Sequence, residues 1–117
     1  MEYACALFHD SLPQYLSNDL EQCQKRALRI IHPDRSYEQA LDETGLAKLS
    51  ERRQMITCEL FMEASRPGHK LNKLLPADNN CHYNLRKKRT FSIAKFSTKR
   101  TQLSFINNNA RKASIVL

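Results

Sequence analysis

With 117 residues the chain has room for one domain, and a domain of that size buries a small share of its surface, so any core is thin. Its formal charge of +7 is unevenly placed: residues 1–75 hold 10 Lys and Arg against 11 Asp and Glu, while residues 76–117 hold 9 against 1. Apolar runs of only a few residues fall far short of the roughly 20 that cross a bilayer, which argues against a membrane protein.

Cys5, Cys23, Cys58 and Cys81 form no Cys-x-x-Cys, and no basic lead precedes a long apolar stretch. A secreted disulfide framework is therefore unsupported, and an intracellular protein with reduced thiols, in nucleus or cytoplasm, is expected. A basic stretch gains affinity for polyanions by displacing their condensed counterions, and it attracts acidic membranes and acidic proteins as well.

Tyr3 to Phe8 is wholly apolar and is broken by His9-Asp10-Ser11-Leu12-Pro13. A chain opening on such a patch is expected to have lost its usual neighbours. The clearest helix starts near Ser17 as N-cap, with Asp19 and Glu21 in its first turn. Leu16, Leu20, Cys23, Ala27, Ile30 and Ile31 recur at helical spacing as one apolar stripe, with Lys25, Arg26 and Arg29 largely off it. The negative end of the helix dipole and a wet face account for those cations without any ligand. His32-Pro33-Asp34-Arg35 ends the helix.

Ser36 caps a second helix with Gln39 at the capping-box position, Tyr37, Ala40, Leu41 and Thr44 on one face, and Gly45 as a left-handed stop. Ser50 is expected to cap a third helix running to about Ala64, with Leu49, Ile56 and Leu60 on one side and Met55, Cys58 and Met62 on the other. Two-sided apolarity predicts two partners. Arg52 and Arg53 oppose the dipole at the start of this helix, so they serve either a salt bridge to an acid of the preceding helix or a phosphate contact.

Arg66-Pro67-Gly68 is a turn, His69 to Leu75 makes about two helical turns before Pro76, and Asp78-Asn79-Asn80 reads as loop. Arg86-Lys87-Lys88-Arg89 is a basic run, followed by Phe91, Ile93 and Phe96 among Ser, Thr and Lys. Lys99-Arg100 with Leu103, Phe105 and Ile106 repeats the theme, Asn107 to Asn109 opens a polar end, and the last residues are expected to fray. The fold class is all-α: a small array of three to four helices over residues 1–75, then a largely irregular basic tail over residues 76–117.

Catalysis needs a constellation. The chain has no Gly-rich phosphate loop, no His-Glu-x-x-His and no Gly-x-Ser-x-Gly, and its two glycines leave little for a backbone phosphate cradle. Cys81-His82 lacks the close second pair that zinc takes, since Cys58 and His69 are distant. No cofactor, metal or catalytic residue is assigned. His32-Pro33-Asp34 after Arg26-Ala27-Leu28-Arg29-Ile30-Ile31 resembles the second helix and loop of a J-domain co-chaperone, which implies an Hsp70 partner. The Tyr-x-x-Leu-Gly opening of that family is absent, and a proline-enforced corner also explains the tripeptide.

A longer ordered set carries a second resemblance. It comprises Glu2-Tyr3-Ala4-Cys5, Ser11-Leu12-Pro13, Tyr15-Leu16, Asp19-Leu20-Glu21, Gln24 to Ile31, Ser36 to Leu41, Gly45-Leu46, Leu49, Glu51-Arg52-Arg53, Leu60-Phe61, His69-Lys70-Leu71, Leu74-Leu75-Pro76, Tyr83-Asn84-Leu85-Arg86, Thr98-Lys99-Arg100 and Ser104-Phe105-Ile106. Over roughly residues 2–106 this resembles, in colinear order, the region downstream of the catalytic core in non-LTR (LINE-like) retrotransposon reverse transcriptases.

The palm of those RNA-directed DNA polymerases binds two metal ions through a signature ending in Asp-Asp, and this chain has no Asp-Asp. The resemblance implies a thumb-like helical segment and post-thumb tail, catalytically inactive, with the missing polymerase core as a partner. It further implies nonspecific contact with RNA or DNA backbone through Lys25, Arg26, Arg29, Arg52, Arg53, Arg86, Lys87, Lys88, Arg89, Lys99 and Arg100. Tyr83, Phe91 or Phe96 either stacks on an unpaired base or anchors onto the helical part.

Overall fold

The fold is taken from a computed structural model, which describes residues 2–79 and 90–116. The described residues form six α-helices: α1 (Cys5–Phe8), α2 (Gln14–Ile31), α3 (Tyr37–Thr44), α4 (Leu49–Ala64), α5 (Lys99–Gln102) and α6 (Phe105–Val116). Short 3₁₀ segments follow α1 (His9–Ser11) and α4 (Lys70–Leu74). No strand occurs among them, so the fold is all-α. The nearest approach to a sheet is one antiparallel bridge between Asp78 and Phe91.

Local rules set several boundaries. Pro13, with φ −59°, precedes α2, and its carbonyl accepts from the N–H groups of Leu16 and Ser17. The helix therefore begins at Gln14, one turn earlier than the Ser17 start expected from side-chain capping. Relieved of capping, the Ser17 hydroxyl accepts from Arg53 Nη2 at 3.1 Å. Pro33 stops the helix after Ile31, and the Ser36/Gln39 capping box opens α3. Gly45 closes α3 in the left-handed region at φ 66°, where a side chain is disfavoured.

The face that α2 turns inward differs from its apolar stripe. Ser17, Glu21, Gln24 and Leu28, one stripe at helical spacing, meet the rest of the molecule. Glu21 accepts from the Tyr37 hydroxyl and from the N–H groups of Leu49 and Ser50, while Gln24 donates to Ala47 O. Leu28 is buried with Ala40 and Leu41.

The stripe expected to pack lies about 100° round the helix and stays largely in solvent: Ile30 is 83% and Ile31 65% exposed. Hydrogen bonding decides the rotation, because the first N–H groups of α4 have no side-chain cap of their own and Glu21 meets that need.

A second core joins both ends of the chain. Ala6, Phe61, Phe105 and Ala110 are buried together, with Ile56, Leu60, Leu75, Phe91, Ile93, Ile106 and Ala113 packed against them. Phe61 meets Phe91 and Phe105 edge-on, each at a centroid distance of 6.3 Å. On α4 the buried stripe is Leu49, Arg53, Thr57, Phe61 and Ala64, while Met55 and Met62 remain 59% and 68% exposed.

The polar end expected to open at Asn107 is instead part of helix α6, with Asn108, Asn109 and Ser114 buried. Side-chain bonds make the burial of Asn109 and Ser114 tolerable. Asn109 Nδ2 donates to Phe105 O at 2.8 Å, Ser114 to Ala110 O at 2.9 Å, and Lys112 Nζ pairs with Asp10 at 2.9 Å. Residues on both sides of the expected boundary at 75 thus share one core.

Candidate nucleic-acid interface

Lys25, Arg26 and Arg29 are exposed on α2 and have no acidic partner among the described residues. Lys25 and Arg29, one turn apart, border a cleft of about 270 Å³ completed by Arg35, Tyr37 and Ala40. Lys25 Nζ lies 5.8 Å from the centre of the Tyr37 ring. Burial, and then the hydrogen bond and charge of Glu21, push the Tyr37 phenol up to about 12. At the adjoining corner His32 is half-buried and Asp34 exposed.

Arg52 and Arg53 part company. Arg52 sits 2.9 Å from Glu2 and keeps half its side chain in solvent, so it forms an internal bridge to the chain start and not to the preceding helix. Arg53 is fully buried, donates to Leu49 O and Ser17 Oγ, and presents nothing to a polyanion. Its assignment as a nucleic-acid contact is therefore corrected: the roughly 100° between successive helix positions puts Arg53, unlike Arg52, on the buried stripe of α4 facing α2, where it is an interior hydrogen-bond donor.

Lys99 and Arg100 are exposed on α5. Arg86, Lys87, Lys88 and Arg89, like Cys81, His82 and Tyr83, lie outside the described residues. Phe91 anchors in the Phe61 core, whereas Phe96 does not join that cluster.

Sequence reasoning passed over Lys95 and Arg111, which the fold brings to one cavity of about 600 Å³ with Ile93, Phe96, Gln102 and Asn107. Lys95 has no charged neighbour in sequence, and Arg111 is followed only by Lys112. The usable signal was a different one: no Asp or Glu follows Asp78, so a cation in this stretch has no local acid to neutralise it. Among the described residues no cluster of metal-binding side chains occurs, and no helix is long and apolar enough to cross a membrane.

Fold and site together define a class: a small all-α protein whose helices α2, α5 and α6 carry exposed cations with no acidic partner among the described residues. Comparison with models of protein families, with curated proteins and with solved structures finds no match.

Proposed function

We propose that the chain is a catalytically inactive counterpart of the thumb and post-thumb region of a non-LTR retrotransposon reverse transcriptase, and that it binds RNA or DNA through the phosphate backbone. Besides the colinear resemblance, one observation carries this reading: Lys25, Arg26, Arg29, Lys99 and Arg100 are all exposed and lack acidic partners among the described residues. Cations not neutralised within the protein are the ones that release counterions from a polyanion. Such contacts position a nucleic acid and carry no base information. The uncovered Met55, Cys58 and Met62 side of α4 is where this reading expects the remainder of a polymerase to pack.

The test is duplex binding by the full chain across a salt series. Each phosphate contact contributes about 0.9 to the slope of log affinity against log salt. The double variants Lys25→Gln/Arg29→Gln and Lys99→Gln/Arg100→Gln are each expected to flatten that slope by up to about 1.8. Arg53→Gln is expected to leave it unchanged. Binding that is absent, or indifferent to salt, would overturn the reading.

A further inference from the structure

We propose that the cavity between residues 93–96 and α6 receives one unpaired nucleotide of a single-stranded RNA or DNA. The inference rests on the nucleic-acid reading above and sharpens it: the chain prefers single strands to duplex. The cavity holds about 600 Å³, inside the roughly 300–1,000 Å³ of small-ligand sites. Its lining divides in the way a nucleotide does.

Lys95, from the loop before α5, and Arg111, from α6, are both exposed and unpaired by any acid among the described residues. Two cations from separate elements suit a phosphate. Ile93 and Phe96 supply an apolar wall, and Phe96 is half-buried without being committed to the Phe61 core. An aromatic ring beside cations is the combination on which unstacked bases rest.

The two amides complete the match. Gln102 Nε2 donates to Phe96 O at 2.8 Å, which ties α5 to the loop holding the ring. Asn107 commits Nδ2 to Thr101 O and to Ser104 Oγ, so its oxygen is the group left to meet a base edge. Inside a duplex the bases are paired and stacked, and only their phosphates would reach Lys95 and Arg111. A strand with a free base uses the apolar wall as well.

The measurement is fluorescence anisotropy of a labelled oligodeoxyadenylate, alone and as a duplex, with the full chain at one salt concentration. The single strand is expected to bind about tenfold tighter. Phe96→Leu, which keeps an apolar side chain, is expected to lower single-strand affinity about tenfold and leave duplex affinity in place. Lys95→Gln/Arg111→Gln, at two exposed positions, reports on the same cavity should Phe96→Leu disturb folding, and it is expected to weaken the single strand more than the duplex.

Equal affinity for both forms, with neither variant discriminating between them, overturns the cavity assignment while the backbone reading stands. Binding of neither form overturns both. Adenosine monophosphate bound as tightly as the oligonucleotide would overturn the strand as ligand in favour of a free nucleotide.

Discussion

Glu21 joins three helices through one carboxylate, accepting from Tyr37 on α3 and from the N–H groups of Leu49 and Ser50 at the start of α4. Its charge stands where unpaired N–H groups and the helix dipole both attract an anion. Glu21→Gln keeps the shape and removes the charge, and is expected to cost about 1–2 kcal/mol in urea unfolding. The Tyr37 phenol titrates near 12 in the folded chain against the ordinary 10.0. The folded state thus holds that proton more tightly, and the associated stability is complete below 10 and lost as pH rises from about 10 to about 12. In Tyr37→Phe that part of the alkaline loss should disappear from a stability titration. Arg53 combines full burial with an Nη1 lacking any hydrogen-bond partner among the described residues. Arg53→Met is therefore expected to match or exceed the parent in stability. Arg53→Ala leaves a void and is expected to lose about 2–4 kcal/mol.

Among the helices, α2 separates amphipathic pattern from burial. Leu28 is 4% exposed and Ile30 83%. Leu28→Ala should cost about 2–4 kcal/mol and Ile30→Ala less than about 0.5, compared by denaturant midpoint. An equal cost for both would mean that the apolar stripe packs in solution and that the Glu21 network does not set the rotation. On α4 the inward stripe passes through Arg53 and Thr57, whose hydroxyl donates to Arg53 O at 2.8 Å. The apolar Met55 and Met62 face outward.

For the molecule as a whole, the radius of gyration of 18.0 Å exceeds the roughly 13 Å of a compact chain of about this length. The described residues pack into two small cores, around Leu28 and around Phe61. The second core depends on residues far apart in sequence, with Lys112 reaching Asp10 across 102 positions. Removing everything after Pro76 strips Phe91, Phe105 and Ala110 from Phe61. The truncated chain is expected to lose cooperative unfolding by circular dichroism, and Phe105→Ala alone to cost about 3–5 kcal/mol. Full cooperativity in residues 1–76 would show that the helical part stands without the tail.

The all-α class, the Pro33 corner, the capping box of Ser36 and Gln39 and the Gly45 stop are all legible in the sequence. Each depends on neighbours within about four residues, where proline geometry and side-chain capping act. The exposure of Lys25, Arg26, Arg29, Lys99 and Arg100 is legible as well, since long charged side chains reach solvent from most helical positions. The tertiary structure alone decided which side of α2 faces inward, that Arg53 is interior, and that Asn108 and Asn109 belong to a packed helix. It also brought Lys95 and Arg111 to one cavity. These outcomes turn on hydrogen bonds and contacts between segments tens of residues apart, and helical spacing reports that a face exists without saying what will cover it.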